Sequence, residues 1–406
     1  MLAGNVLVAV DSTGNLRITG DNADNQLTIT QSGNGSYLIV GQNTTINGQG
    51  SRNVSGVRRS VTIDVRGGND DVTFTGAVPG GLFAPRFTSS FVVRGGLGSD
   101  TINVTNVDAA SQVLIEGGGG ADNLNVTSVA GDDIVLRTTL GGDSIDADGL
   151  VADDLLQIES GEGNDSVSVF NSFAERMTVN TGFGDDELTI DDTTVDRALA
   201  VNTSGNASGI GNNGRGDTST GVGGRNGQPD GVNRGNPTTS GGGGTPPVVQ
   251  ADADEFEITD STVGSATIAT GGDADDVTLE DFEAIGNLVV VTGDGDDFLD
   301  LLEVIATNLS IEMAAGNDQA FLTNTAITSD ISFNAGTGND DLTLVNIAAD
   351  ELFAVMGSGN DDVAAASAVS LATRARIDGG SGTDSLSGNA SITAALKQLI
   401  GLESVV

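Results

Sequence analysis

The chain has no cysteine, no histidine and no tryptophan, one tyrosine, and a single lysine, Lys397. Without cysteine there is no disulfide framework and no thiol chemistry. Without histidine the commonest general base, the serine–histidine triad and most zinc and copper sites are excluded. Thirteen Phe and one Tyr in 406 residues are few for ordinary globular cores of this length. A thin, regular core of small β-branched side chains accounts for that scarcity. No run of about 18 apolar residues occurs, so no membrane-spanning helix is expected.

Basic residues are also few: 16 Lys and Arg stand against 57 Asp and Glu, a net charge of −41. Phosphate backbones repel such a surface, which argues against nucleic acid as a partner and against an anionic membrane surface. A folded form must tolerate strong self-repulsion or recruit cations.

What is abundant is glycine, with 60 residues, and it recurs on a rhythm. Arg94-Gly95-Gly96-Leu97-Gly98-Ser99-Asp100 is followed by Glu116-Gly117-Gly118-Gly119-Gly120-Ala121-Asp122, Gly141-Gly142-Asp143, Gly161-Glu162-Gly163-Asn164-Asp165 and Gly182-Phe183-Gly184-Asp185-Asp186. The closing Asp residues are spaced 22, 21, 22 and 21. Later turns close on Asp275, Asp297, Asp318, Asp340, Asp361 and Asp384, spaced 22, 21, 22, 21 and 23. Between turns lies a fixed apolar pattern, as in Leu188 and Ile190, then Val195, then Leu199 and Val201. Alternation with period 2 predicts strands with one buried face, not helices.

A unit of 21–22 residues cannot bury its apolar face alone; stacking buries a continuous column. The expected fold is all-β: a single parallel β-solenoid (β-helix) with about 21–22 residues per coil, one Gly-rich insertion and a short C-terminal capping helix. Residues 1–60 read as an N-terminal cap with degenerate coils, 61–203 as solenoid, 204–250 as a Gly/Pro-rich insertion loop, 251–388 as solenoid continued, and 389–406 as a C-terminal cap. Asp24 and Asp70 are expected to flank one degenerate coil. Fifteen or so coils at about 4.8 Å give a rod of roughly 70 Å. In the cap, Ile392, Ala395, Leu396, Leu399 and Ile400 fall at helical spacing, with Ser391 as N-cap and Gly401 as terminator.

The insertion follows Leu199-Ala200-Val201, and Asp254 lies 21 residues before Asp275. The insertion therefore sits within one turn, and the rod is expected to continue through it. A shorter insertion between Asp70 and Asp100 holds Phe83 and Phe87 on a Pro-Gly loop, either a contact patch or a loop folded back on the rod.

Stacking brings each turn Asp near its neighbour, where two like charges about 4.8 Å apart repel by roughly 1 kcal/mol in water and more when partly buried. Calcium would relieve this, since it takes six to eight oxygen ligands from carboxylates and carbonyls. Gly161-Glu162-Gly163-Asn164-Asp165-Ser166-Val167 and Gly336-Thr337-Gly338-Asn339-Asp340-Asp341-Leu342 resemble the repeats-in-toxin motif, Gly-Gly-x-Gly-x-Asp-x-(apolar)-x. That resemblance implies calcium (Ca2+) ligation by Asp70, Asp100, Asp122, Asp143, Asp165, Asp186, Asp254, Asp275, Asp297, Asp318, Asp340, Asp361 and Asp384. The family has two motifs per coil of about 18 residues, whereas this chain has one per coil, so at most one ion column is implied. Ala314-Ala315-Gly316-Asn317-Asp318 lacks the first Gly, and Asp273-Ala274-Asp275 has acid in place of Gly. The alternative is an ion-free ladder of hydrogen-bonded Asp and Asn turns.

The resulting expectation is a calcium-stabilised extracellular structural protein, a filament, surface-layer, matrix or adhesin component, and not an enzyme. Its expected partners are further copies of itself, other cell-surface proteins or polysaccharide. The opening Met1-Leu2-Ala3-Gly4-Asn5 resembles the mature side of a sorting sequence on large bacterial surface proteins, so the secretion leader is not in this chain. The alternative is a polysaccharide-binding or polysaccharide-degrading β-helix. Lyase chemistry would need a basic residue beside an acid cluster, and Arg137, Arg176 and Arg197 occupy different positions in their units. An ice-binding face is set aside because Thr28-Ile29-Thr30 does not recur at the coil spacing.

Overall fold

Each strand of the repeat pairs in parallel with its counterpart one coil on. Thr101–Asp108 lies beside Asn123–Arg137, with Ile102 opposite Leu124 and Val104 opposite Val126. Asn123–Arg137 in turn pairs with Ser144–Asp148, placing Ile145 opposite Leu124. The computed structural model describes residues 4–77, 89–203 and 254–406. Over these residues the chain winds as a parallel β-solenoid of about twelve turns. The alternating Ile, Leu and Val side chains point inward and are fully buried in one continuous core. Each contributes about 1.5–3 kcal/mol by leaving water, and only stacked coils provide that burial.

Corners hold the strands in register. Six residues after most turn Asp residues the backbone takes a left-handed conformation: φ is 58° at Asn106, 56° at Ser128, 65° at Gly149, 50° at Asn171, 51° at Asp281 and 55° at Asn346. Asn, Asp and Gly tolerate that region best, which explains the residue types there. The side chains also stack, as where Asn346 Nδ2 donates to Asn324 Oδ1 at 3.0 Å.

The N-terminal region differs from the expected degenerate coil. Gln26–Gly33 pairs directly in parallel with Asp71–Thr75. The residues between turn outward as antiparallel strands, Ser36–Gly41 against Gln26–Gly33 and Ser51–Val54 against Ser36–Gly41. No coil lies between Asp24 and Asp70. This excursion is one reason the rod has about twelve turns and a length of roughly 60 Å, rather than fifteen turns. Tyr37 from the excursion is buried against Phe74 at 6.1 Å between ring centroids, and Phe74 meets Phe91 at 4.7 Å. Gly4–Val10 covers Leu16–Thr19 as an antiparallel partner. The same direct pairing shows that Thr28-Ile29-Thr30 does recur, with Thr73-Phe74-Thr75 beside it in register. Asn103 then takes the first Thr position in the next coil.

The C-terminal helix does not form. Asn389–Ser391 is a single 3-10 turn, and Ile392–Thr393 and Leu396–Ile400 are strands paired with Val369–Asp378. The open edge of the preceding coil offers backbone partners along the whole segment. Helical spacing offered only one apolar stripe, and in the structure Ile392 is buried while Leu396 and Ile400 are exposed.

The rod is continuous across the large insertion. Glu187–Asp191 pairs with Glu255–Thr259, and Thr194–Asn202 with Ala266–Gly272, both in parallel. The insertion at 204–250 and the Phe83 and Phe87 loop lie outside the described residues. Replacing residues 204–253 by Gly-Glu-Gly-Asn, the turn that precedes Asp165, shortens the Asp186 to Asp254 spacing from 68 to 22 residues (68 − 50 + 4). That protein is expected to keep its circular dichroism spectrum and to melt within about 3 °C of the parent, because both flanking registers are already those of adjacent coils.

Candidate functional site

The turn Asp residues form one buried column. All thirteen are 1–3% exposed. In every coil the backbone N–H of the Asp donates to Oδ1 of the Asp in the following coil. Asp100 donates to Asp122 at 2.8 Å, Asp186 to Asp254 at 3.1 Å, Asp318 to Asp340 at 3.0 Å and Asp361 to Asp384 at 3.0 Å. At one end Asn25, not Asp24, holds the register, and its N–H donates to Asp70 Oδ1 at 2.6 Å. At the other end Asp384 N–H donates to Glu403 Oε2 at 2.6 Å. The turns at Asp275 and Asp318 keep the ladder unbroken, because Asp273 and Ala314 take left-handed φ values of 82° and 65° in place of glycine.

A second ladder runs beside the first in the opposite direction. In many coils the residue before the Asp donates its N–H back to a side chain of the preceding coil: Asn317 to Asp296 at 2.7 Å, Asn339 to Asn317 at 3.0 Å and Asn360 to Asn339 at 2.9 Å. In those turns two successive backbone donors are satisfied by side chains from opposite sides.

The second Asp oxygen, Oδ2, is buried and has no hydrogen-bond partner in Asp70, Asp100, Asp122, Asp143, Asp165, Asp254, Asp275, Asp297, Asp318, Asp340, Asp361 and Asp384. It points toward the residue five positions earlier. A Cβ built on Gly95 would overlap Oδ2 of Asp100, and one on Gly117 or Gly379 would crowd Oδ2 of Asp122 or Asp384. Strand register carries this position along the rod as Val65, Gly95, Gly117, Thr138, Ser160 and Thr181, and later as Met313, Ala335, Met356 and Gly379. Two hydroxyls in this column bind along the axis, Thr138 Oγ1 donating to the Ser160 carbonyl at 2.6 Å and Ser160 Oγ to the Thr181 carbonyl at 2.7 Å, whereas Thr181 Oγ1 has no partner. The inward column escaped the sequence reading. Its signal is the small or hydroxyl residue five positions before most turn Asp residues.

Burial pushes eleven of the ladder carboxyls up, while the N–H each of them accepts pulls it back down and neighbouring acids raise most of them further. Asp254 rises to about 8, Asp100, Asp122, Asp275 and Asp318 to about 7, and Asp70, Asp165, Asp297 and Asp340 to about 6. Asp143 and Asp361 are raised for the same first reason. Hydroxyls stand beside several rungs and moderate the rise, as Thr270 does for Asp275 and Thr292 for Asp297.

The arginines weighed against lyase chemistry each pair with a carboxylate one coil away. Arg137 binds Glu116 and Glu159, Arg176 binds Asp154 at 2.6 Å, and Arg197 binds Glu175 at 2.7 Å. Glu116 is held from both sides, by Arg94 and Arg137.

The ladder does not fit calcium, which needs six to eight converging oxygens. One oxygen of each rung already accepts an N–H, and the other faces Val65, Met313, Ala335 or Met356 in four of the coils, which offer no side-chain oxygen. Among the described residues no three acidic side chains are grouped to hold a metal ion. The column joins the thirteen residues named from the sequence but, in the twelve whose Oδ2 has no hydrogen-bond partner, places that oxygen inward, one behind another, rather than around a common point. None of the described helices is long and apolar enough to cross a membrane. No protein-family model, curated protein or solved structure matches the chain.

Proposed function

We propose that this chain is a structural rod of the cell surface or extracellular matrix, serving to span distance and present its long faces. The observation that carries the reading is the uninterrupted ladder: the same turn, bonded the same way, runs from Asn25 to Glu403. Its Oδ1 acceptors take their hydrogen bonds along the axis, from one coil to the next, which stiffens a solenoid. The acidic, lysine-poor faces favour solubility at high local density. Their exposed Asn, Thr and Asp side chains suit contact with further copies of the chain, other surface proteins or polysaccharide.

The reading is tested on intact cells of the organism that makes the protein. Brief protease treatment is expected to release peptides from this chain while a cytoplasmic marker stays whole. Recovery only from the cytoplasmic fraction would sink the proposal. Reducing-end release from a panel of acidic polysaccharides would replace it with the polysaccharide-degrading alternative.

A further inference from the structure

We propose that the aspartate column closes on itself without calcium: each Asp works as a backbone cap for the coil before it, and that role needs one uncharged acceptor oxygen, not a charge. The geometry points there in four ways. First, the bond that recurs at every rung uses Oδ1 alone. Second, a neutral side chain packs at this position: Asn25 is 1% exposed and stands in register with Asp70 at the end of the column, where its N–H donates to Asp70 Oδ1 and its own Oδ1 has no N–H to cap. Third, the residues around Oδ2 change from glycine to hydroxyl to methionine along the rod while the ladder bond stays within 2.7–3.1 Å from Asp70 to Asp384. A bound ion would require the same oxygens in each coil, whereas a capping bond requires only the acceptor. Fourth, where Gly95 leaves room, Asp100 Oδ2 and the Gly117 carbonyl both lie beside the missing Cβ, a pair of oxygens that one shared hydrogen satisfies.

The resemblance to calcium-binding turns is then explained without an ion. Glycines four and two positions before the Asp are needed because the coils approach through the turn backbone, with Gly118 and Gly182 in the first column and Gly98, Gly120, Gly163 and Gly184 in the second stacked so that any Cβ would overlap a carbonyl of the preceding coil. The Asp is needed because its short side chain reaches one coil back to an N–H that has no strand partner. Asn meets the same requirement: its carbonyl oxygen accepts the N–H, and its amide nitrogen takes the place of Oδ2, where it can donate to a carbonyl.

The test uses the full chain and three proteins: wild type, Asp340→Asn and Asp340→Ala. Each is melted after exhaustive chelation and again in millimolar calcium, followed by circular dichroism. The informative quantity is the calcium increment in Tm, which is expected to be equal in wild type and Asp340→Asn. Asp340→Asn is expected to melt at or above wild type in chelator, and Asp340→Ala to melt lower by about 3 °C or more under both conditions, since it leaves the Asp318 N–H unbonded. A calcium increment present in wild type and lost in Asp340→Asn overturns the inference. So does an Asp340→Asn protein that melts as low as the alanine variant. If Asp340→Ala does not fold, the comparison of wild type with Asp340→Asn still decides.

Discussion

Replacing Gly338 by alanine is expected to cost more than about 4 kcal/mol and to break the rod locally. Gly338 sits in the turn Gly336-Thr337-Gly338-Asn339-Asp340 with φ of 142°. A Cβ there would overlap the Gly316 carbonyl oxygen, a backbone atom that cannot move without displacing its whole coil. Gly316 and Gly359 make the same contact with Gly295 and Gly338, so the column has no slack on either side. Gly272 provides the control. It lies in the same kind of turn, has no left-handed φ, and its Cβ would meet the Asp294 carbonyl at an ordinary 3.7 Å. Gly272→Ala is expected to change stability by less than about 1 kcal/mol. Urea denaturation of both variants measures the costs. Because a solenoid's stability is a sum of nearest-neighbour terms, limited proteolysis of Gly338→Ala should cut within the coils around residue 338 and leave distant coils protected. Equal stabilities for the two variants would show that the tight glycine column does not exist.

Acidification from pH 8 to pH 5 is expected to stabilise the protein, by about 5 kcal/mol or more, where most acid-rich folds only lose stability. Nine ladder carboxyls have folded-state values of about 6 to 8, above the ordinary 3.8, chiefly because burial disfavours their charged form. Between those values the folded chain holds more protons than the unfolded chain. Stability therefore falls as pH rises through the folded-state values, and the contribution is fully present below about 4. A tenfold change in a carboxyl's proton affinity on folding corresponds to about 1.4 kcal/mol, but neighbouring rungs influence one another and titrate together, so the total is well below the sum of single rungs. General self-repulsion of a −41 chain also eases on acidification. Measuring Tm from pH 4 to 9 in about 1 M salt, where the screening length is about 3 Å, leaves the buried contribution and suppresses the surface one. Asp318→Asn should flatten part of the slope and be most stabilising near pH 8. A Tm that stays level or rises between pH 5 and pH 8 in high salt would refute ladder protonation.

Much of this was legible in the sequence because it repeats. The spacing of Asp100, Asp122, Asp143, Asp165 and Asp186 set the coil length, and the period-2 alternation of residues such as Leu188 and Ile190 set which face is buried. The position of Asp254 placed the 204–250 insertion inside one turn, and the pairing of Glu187–Asp191 with Glu255–Thr259 agrees. The misread places were those where one local pattern had two physical outcomes. Residues 392–400 carry apolar side chains at helical spacing, yet the unpaired edge of Val369–Asp378 drew them into strands. The 45 residues from Asn25 to Asp70 matched two coil lengths, yet the middle turned back antiparallel because Tyr37 could bury against Phe74.

By itself, the sequence determined that this chain is a stack of 21–22-residue β-coils with an acid at the same corner of nearly every coil, because a repeated period and a repeated alternation leave little else that buries the apolar residues. Tertiary structure decided what that acid does. Whether a turn carboxylate faces outward to gather an ion or inward to cap its neighbour depends on where the next coil places its N–H, and that donor comes from residues 21–22 positions away that no local motif can orient. Here it lies directly beneath each Asp Oδ1, and the column is a backbone cap.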